Sequence, residues 1–334
     1  MSKERLSYID IAKGILILFL LMGHALLFIR NEGVDDGFIN GFQSVRLYLW
    51  TPYYMPAFFV ITGYCSNFNK SFGTFLWQNF KTLKIPAIIF GFFLAVVTMI
   101  NHHALSLSGV WHHLSVCIIE SGLWFLDALF LAKILYWLLL RISSDGRAQL
   151  LLSLVTFLVG LLLYRANIPP KDFGNVCHAL MLTLFLFAGQ QLKEWQLVPI
   201  KRAIWMGMLF ILALLVTALL GIKIPFITNK ISLDWMGVLP FIVLSLSGSL
   251  MVIGASGLLE RNYWLEYIGR NSLVFYMFNT FALNISVKLL SKYMTNHLLC
   301  VVLYLLVMLL TCAILVVITK ILNTKYLRFT LGKF

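Results

Sequence analysis

Long apolar runs alternate with short polar breaks along the whole chain. A helix needs about 20 apolar residues to cross the hydrocarbon core of a bilayer. Reading the apolar runs between the polar breaks predicts ten helices of this kind. They cover about residues 11–29, 47–66, 84–101, 122–141, 148–164, 176–192, 203–221, 236–257, 270–287 and 298–319. The even number places both chain termini on one side of the membrane.

Basic residues are distributed unequally between the two sides that these ten helices define. The side of the termini carries 17 Lys and Arg residues and the opposite side carries 8, with Lys133 inside a helix, out of 26 in all. Lys and Arg collect in cytoplasmic loops. Both termini are therefore predicted to be cytoplasmic, and the asymmetry supports the number of ten helices independently of hydropathy.

Composition places the chain among integral membrane proteins. Hydrophobic residues make up 60% of the sequence and charged residues 12%, about half the charged share of a soluble domain. The net charge of +13 would suggest a nucleic-acid partner in a soluble protein, but here the cytoplasmic loops explain it and no nucleic acid is expected. No repeat, low-complexity tract or long linker interrupts the chain. The predicted fold class is all-α, a polytopic integral membrane helical bundle formed by one domain, residues 1–334.

Neither a metal site nor a disulfide is expected. The five cysteines have neither CxxC nor metal-ligand spacing, so we interpret them as core thiols. Two pairs of adjacent histidines, His102–His103 and His112–His113, lack a Cys or carboxylate at metal-ligand spacing, and adjacent residues on a helix face different ways. We interpret these histidines as incidental members of an outer loop, with a zinc site as the alternative.

The first predicted helix carries ionisable residues, which are costly inside a membrane and usually functional. Lys13 and His24 are eleven residues apart, which separates them by only about 20° around a helix and by about 16 Å along it. Asp10 lies within about 40° of the same face and is expected to pair with Lys13 at i,i+3 spacing. One interpretation is that Lys13 snorkels to the head groups and His24 makes an interhelical hydrogen bond. The other is a polar stripe that leads from the cytoplasm to a buried base.

Five stretches of the sequence resemble motifs of one family. "YIDIAKGILILFLLMGH", with a basic residue, ten residues and a His, resembles the first-helix signature of the acyltransferase-3 membrane acyltransferases, and its "DIAKGI" wording is closest to the branch related to fucose 4-O-acetylase. The other four, in chain order, are "MPAFFVITGY", "KTLKIP", "GLWFLDALFLAKIL" and "IGRNSLVFYMFN". They are similar to the second-helix motif, the paired basic residues, the Trp-Phe-Leu helix and the late motif of that family.

Two departures from the family pattern affect the expected site. Many relatives end the late motif with His where this chain has Asn279, so a second catalytic histidine is not assumed. Lys stands where Arg is common, at Lys13, Lys81 and Lys84. Lysine keeps the charge but loses the bidentate fork that arginine offers to phosphate, so donor affinity or geometry is expected to differ.

The resemblance implies transfer of an acyl group, usually acetyl from acetyl-CoA, to a hydroxyl of a carbohydrate or another cell-surface molecule. His24 would be the general base, and Asp10 would be a second catalytic residue. A covalent acyl-histidine is the alternative to direct transfer. Lys13, Lys81 and Lys84 would bind the phosphates of acetyl-CoA, the alternative being ordinary positive-inside charge.

Seven further residues are candidates for contact with the acceptor. Asp127 follows the Trp-Phe-Leu motif directly, and the alternative for it is a pair with a cation of another helix. Trp124 could stack on a sugar or anchor its helix at the membrane interface. The remaining candidates are Glu120, Arg270, Ser272, Tyr276 and Asn279. The last three recur at i, i+4 and i+7 and so share a helix face, where hydrogen bonding between helices is the alternative.

The sequence therefore predicts a multi-pass O-acyltransferase of the bacterial inner membrane, with acetyl-CoA as donor and a glycan or lipid-linked sugar as acceptor. Donor and acceptor are expected to reach the site from opposite sides of the membrane. The alternatives are a transporter or flippase, whose midplane would also hold polar residues, and a membrane domain that binds a small molecule without chemistry. Transporters usually show internal repeats, which this sequence lacks. Thioester turnover distinguishes the enzyme from both.

Overall fold

The computed structural model describes residues 6–101, 106–167, 175–194, 200–227, 231–232, 234–259 and 261–333. Of the residues described, 83% are helical and almost none lie in strands, which confirms the all-α class. The α-helices are α1 (Ser7–Asn31), α2 (Gly37–Leu49), α3 (Tyr54–Cys65), α4 (Phe72–Asn79), α5 (Ile85–Asn101), α6 (Leu107–Ile119), α7 (Trp124–Ile142), α8 (Gly146–Arg165), α9 (Val176–Glu194), α10 (Ile200–Leu219), α11 (Trp235–Ser256), α12 (Tyr263–Arg270), α13 (Ser272–Leu290) and α14 (His297–Leu322). The described elements also include a π-helical turn (Phe80–Lys84), 3-10 turns (Ser291–Tyr293 and Arg328–Leu331) and two short strands, β1 (Phe226–Ile227) and β2 (Ile231–Ser232).

Eight helical segments in the described part of the chain are long and apolar enough to cross a membrane. Each of them overlaps one of the ten predicted helices, which confirms a polytopic, multi-pass membrane protein. The seventh predicted helix corresponds to α10, whose apolar stretch, Ala203–Leu219, is shorter than the other eight segments. The cytoplasmic location of both termini stays a prediction.

The second predicted helix, residues 47–66, is not continuous. The helices α2 and α3 are separated by turns at residues 50–53. Pro52 lies in this break, and proline both lacks an N–H and disfavours helical backbone in the residue before it. That residue, Thr51, donates its hydroxyl to the carbonyl of Arg46 at 3.0 Å. The prediction of one spanning helix is wrong here because hydropathy is averaged across a short break of turn residues.

The third predicted helix begins earlier than expected. The helix α4, the π-helical turn and α5 form one continuous segment, Phe72–Ile100. Pro86 is the second residue after the π-helical turn and has no N–H to bond back to the preceding turn. The N–H of Ile85 instead bonds to the carbonyl of Phe80, five residues back, which widens the helix at this point. Turns of this type occur frequently at functional sites.

Residues 107–119, which were expected to lie in an outer loop, form the helix α6. Ser106 caps the first turn of this helix through its side chain. The structure describes the second histidine pair, His112 and His113, on α6, whereas the first pair, His102 and His103, lies outside the described residues. For His112 and His113 the loop interpretation is wrong, because this polar pair interrupts an apolar run whose backbone is helical.

The chain forms two compact units, which we describe separately. The first unit comprises Met1–Phe58, Val198–Ile227 and Ser232–Ile321, and the second comprises Phe59–Leu197, Thr228–Ile231 and Leu322–Phe334. The expectation that residues 1–334 form one membrane domain stays a prediction.

In the first unit, α1 packs closely against α12 and α13. A Cβ atom built on Gly269 would lie 1.8 Å from the carbonyl oxygen of Asp10, so only glycine allows the end of α12 to approach the start of α1 this closely. Further along α1, Leu26 and Ile29 belong to a buried cluster that also contains Leu283 of α13 and Tyr304 of α14. The helix α1 is therefore held against α12 near its start and against α13 and α14 further along.

In the second unit, α7 packs against α9 and against the π-helical turn. The ring of Phe125 on α7 meets the ring of Phe59 edge to face, with centroids 5.4 Å apart. Phe68, three residues after the end of α3, packs edge to face on Tyr136 with ring centroids 4.9 Å apart. These aromatic contacts fix α7, the helix of the Trp-Phe-Leu motif, in the core of this unit.

Candidate active site

His24 lies in the middle part of α1, partly exposed, and contacts the late motif. Its Nδ1 is 2.6 Å from Oδ1 of Asn279 on α13, and Asn279 is buried. The amide nitrogen of Asn279 donates to the carbonyl of Tyr276, so its oxygen is the atom that accepts from His24. The hydrogen-bond network thus assigns the proton to Nδ1 of His24. The other ring nitrogen, Nε2, keeps its lone pair and can act as a base.

Arg46 on α2 packs against α1 beside His24. A Cβ atom built on Gly23 would lie 2.6 Å from Nη1 of Arg46, so the guanidinium occupies the space that any larger residue would fill. The Nε atom of Arg46 donates to Oε1 of Gln43 at 2.7 Å, and both side chains are buried. The hydropathy pattern did not indicate a role for this residue and placed it with the loop charges, because the break after α2 is not visible in that pattern.

Aromatic rings surround this part of the first unit. Trp50 stacks on Phe19 of α1 with centroids 5.2 Å apart, and Phe42 packs edge to face on both Trp50 and Tyr304, at 5.8 and 5.6 Å. Trp50 and Tyr304 are buried. The hydroxyl of Tyr304 donates to the carbonyl of Met22 at 3.3 Å. The ring of Tyr304 also interacts electrostatically with Arg46.

At the N-terminal end of α1, Asp10 forms an ion pair that the sequence did not predict. Its carboxylate lies 3.4 Å from Nε of Arg270, and Arg270 in turn pairs with Glu266 at 2.6 Å. The expected pair between Asp10 and Lys13 is wrong: no ion pair joins them in the described residues, and Lys13 is partly exposed. The reason is the close approach at Gly269, which brings the end of α12 onto Asp10.

Asp10 does not contact His24. The two residues are fourteen positions apart on one helix, which separates them by about 21 Å. A catalytic role for Asp10 stays a prediction. Of the other first-unit candidates, Tyr276 is buried one turn before Asn279, and Ser272 opens α13 partly exposed.

In the second unit, Lys84 and Asp127 form a buried ion pair. Nζ of Lys84 is 2.6 Å from Oδ1 of Asp127, and the two side chains are 9% and 1% exposed. Lys84 also donates to the carbonyl of Ile119 at 2.9 Å. The second carboxylate oxygen of Asp127 accepts from the backbone N–H and the hydroxyl of Ser121, both at 2.8 Å. The structure thus shows Asp127 paired with a cation from another part of the chain, Lys84. Lys84 in turn already has a counter-ion.

Trp124 and Glu120 lie on either side of the loop that joins α6 to α7. The ring of Trp124, the first residue of α7, is 5.2 Å from the ring of His178 on α9, and His178 is buried. Glu120 follows the last residue of α6 and is partly exposed. Contact of either residue with an acceptor stays a prediction.

A basic cavity of about 480 Å³ lies beside the π-helical turn. Twelve described residues line it, and they include no carboxylate. Four of them are lysines from separate parts of the second unit: Lys70, Lys81, Lys133 and Lys333. The sequence predicted only Lys81 among these, because the other three are distant from it along the chain.

The sequence model of one protein family, described as an acyltransferase domain, matches residues 6–320. The chain belongs to the acyltransferase-3 family. The match covers nearly the whole chain and, with the apolar helices, makes the protein a multi-pass membrane acyltransferase. Comparisons with curated proteins and with solved structures find no match.

The motifs by which the sequence resembles the acyltransferase-3 family come together in pairs. In the first unit, the first-helix motif meets the late motif where His24 contacts Asn279. In the second unit, the paired basic residues meet the Trp-Phe-Leu helix where Lys84 contacts Asp127. His24 and Asn279 are 255 positions apart in the sequence, and Lys84 and Asp127 are 43 positions apart. Both pairs are nevertheless in direct contact.

Proposed function

We propose that this membrane acyltransferase is an O-acetyltransferase. Its donor is acetyl-CoA from the cytoplasm, its acceptor is a hydroxyl of a surface carbohydrate or lipid-linked sugar, and its location is the bacterial inner membrane. The wording of the first-helix motif favours the fucose 4-O-acetylase-like branch. The observation that carries the proposal is the hydrogen bond between His24 and Asn279, because it leaves Nε2 of a half-buried imidazole available to accept a proton.

His24 acts as general base in this proposal. A sugar hydroxyl is too weak an acid to lose its proton before attack, so a positioned base must take the proton as the new bond forms. Asn279 cannot be a second base, because a carboxamide does not accept a proton near neutral pH. Its part is to hold the ring in one orientation and one tautomer, as a third group does in other base-assisted transfers.

The basic cavity of the second unit is proposed to bind the phosphates of acetyl-CoA. Four lysines around a cavity lined by no described carboxylate favour a ligand with several negative charges. Lys81 is common to this cavity and to the phosphate-binding residues predicted from the sequence. Lys84 is not among the lining residues, so its role is proposed to be the support of α7 through Asp127. The phosphate contact predicted for Lys13 stays a separate proposal.

Replacing Lys70 and Lys81 together by Gln is expected to weaken the binding of CoA by about tenfold or more, since each charge-assisted hydrogen bond contributes about 1.5–3 kcal/mol before solvent screening. The KM for acetyl-CoA should rise with a smaller change in kcat, which is the pattern of lost uniform binding. Calorimetry with CoA at two salt concentrations measures this, because screening weakens the remaining attraction.

The matched control is replacement of Lys288 and Lys292 by Gln, two exposed lysines outside the cavity. This variant should bind CoA like the parent. Equal losses in both double variants, or no loss in the cavity variant, would contradict the assignment of the cavity to the donor.

The proposed activity is tested directly with the purified protein in vesicles. Release of free CoA thiol from acetyl-CoA, increased by a carbohydrate acceptor, is the expected result. Mass spectrometry of surface glycans from cells with and without the gene should then identify the acetylated sugar. A protein that moves a solute across the vesicle membrane and releases no thiol would instead support the transporter.

A further inference from the structure

Arg46 carries a buried positive charge that has no carboxylate partner in the described structure. Arg46 is only 9% exposed. Its one side-chain hydrogen bond in the described structure is donated by Nε to the neutral side chain of Gln43. Neither Nη atom has a hydrogen-bond partner among the described residues. Up to four N–H groups of a rigid donor fork therefore have no acceptor within the fold that the structure describes.

Such an arrangement is unusual for a residue this deeply buried, although the Nη atoms themselves are not fully buried. A buried charge is normally paired or hydrogen-bonded at each of its polar atoms, because transfer of an ion out of water costs several kcal/mol even after relaxation of its surroundings. The contrast with the second unit is direct, since buried Lys84 has both a carboxylate and a carbonyl. Arg46 is the only Lys or Arg in the described part of the first unit that is this deeply buried.

The position of Arg46 next to the proposed base suggests that its anionic partner is a charge that forms during the reaction. The guanidinium lies against Gly23, the residue before the proposed base, and it interacts electrostatically with the ring of His24. In acyl transfer, negative charge develops on the carbonyl oxygen of the thioester while the base takes the proton of the attacking hydroxyl. A cation beside the base can therefore meet a charge that exists only during the reaction.

We propose that Arg46 is a catalytic residue that donates hydrogen bonds from its Nη atoms to the oxyanion formed during acyl transfer. This inference rests on the proposed function. The hydroxyl oxygen forms a bond to the thioester carbon, the π electrons of the carbonyl move to its oxygen, and the hydroxyl proton passes to His24. The carbonyl then reforms, the C–S bond breaks with its electron pair on sulfur, and His24 returns the proton to give the ester and the CoA thiol.

The predicted effect is specific to the chemical step. Arg46→Gln should lower kcat by about 10²–10³, the loss typical for one oxyanion donor, with the KM for acetyl-CoA and the affinity for CoA changed by no more than about twofold, since the oxyanion is absent from the bound donor. Arg46→Lys should retain part of the rate, because lysine keeps the charge and loses the fork. The matched control is Arg30→Gln, an exposed arginine at the end of the same α1, which should behave like the parent.

Hydrolysis of acetyl-CoA without an acceptor distinguishes the oxyanion from an anionic group of the acceptor. Water replaces the sugar hydroxyl in this reaction, so an oxyanion still forms and Arg46→Gln should slow hydrolysis as much as transfer. Unchanged hydrolysis with a raised KM for the acceptor would overturn the proposal in favour of acceptor binding. A kcat equal to that of the parent would overturn it outright.

A stability measurement tests the inference without activity. Because Arg46 has no carboxylate partner among the described residues, Arg46→Met should unfold at the same temperature as the parent or higher, as is common when a largely buried charge is replaced by an apolar side chain. A clearly lower unfolding temperature would show a structural role and overturn the proposal. If the parent releases no thiol from acetyl-CoA, the proposed donor is wrong, and the unfolding temperature of Arg46→Met still decides whether the guanidinium is held for the fold.

Discussion

Replacement of His24 by Ala is expected to lower acetyl transfer by about 10²–10⁴, the range for loss of a positioned general acid–base group. The protein should still fold and insert, because the ring makes one hydrogen bond and lies partly exposed. Its described hydrogen-bond partner, Asn279, cannot replace the base, since it offers only a carboxamide. The measurement is kcat/KM of the purified variant with acetyl-CoA, together with its thermal unfolding.

The control for this variant is His112→Ala, which removes an exposed histidine of α6 and should leave the rate unchanged. Transfer by His24→Ala at close to the parental rate would exclude His24 as the base. A separate experiment addresses the covalent alternative: an acetyl group found on His24 after exposure to acetyl-CoA without acceptor would indicate an acyl-histidine in place of direct transfer.

The apolar pattern predicts the helices well because it reflects one simple physical requirement, the thickness of the bilayer. It fails at places where another requirement decides, and two of them are clear. At Pro52 the backbone cannot continue a helix although the neighbouring residues are apolar. In α6 a pair of histidines divides an apolar run whose backbone is nevertheless helical.

The candidate site could be predicted only in part for a similar reason. The identities of His24, Asn279 and Asp127 follow from motifs, whereas their partners lie up to 255 positions away. Sequence spacing suggested Lys13 as the partner of Asp10, but a close helix crossing at Gly269 supplies Arg270 instead.

Arg46 shows a different limit of the sequence. Its burial depends on the fold of α2 against α1, which no local pattern indicates. Arg46, whose charge the sequence pattern assigned to a loop, therefore lies beside the proposed base, His24.

The buried ion pair of the second unit gives the largest expected change in stability. Lys84→Met alone or Asp127→Leu alone should destabilise the protein by about 3–5 kcal/mol, because each change leaves the other charge buried without its counter-ion. The matched control is His297→Gln, which breaks the more exposed pair with Asp36 and should leave the unfolding temperature nearly unchanged, because exposed ion pairs contribute little.

The double variant Lys84→Met with Asp127→Leu should recover most of this loss, since two apolar side chains of similar size can replace a buried pair at little cost. The Ser121 N–H and hydroxyl and the Ile119 carbonyl lose their partners in that variant, so recovery should be incomplete. Thermal unfolding of the parent, the two single variants and the double variant measures the coupling between the two charges. Additive losses would contradict a direct pair. If the double variant regains stability but no longer binds CoA, Lys84 would belong to the donor site. Its charge would then act on the donor as well as on Asp127.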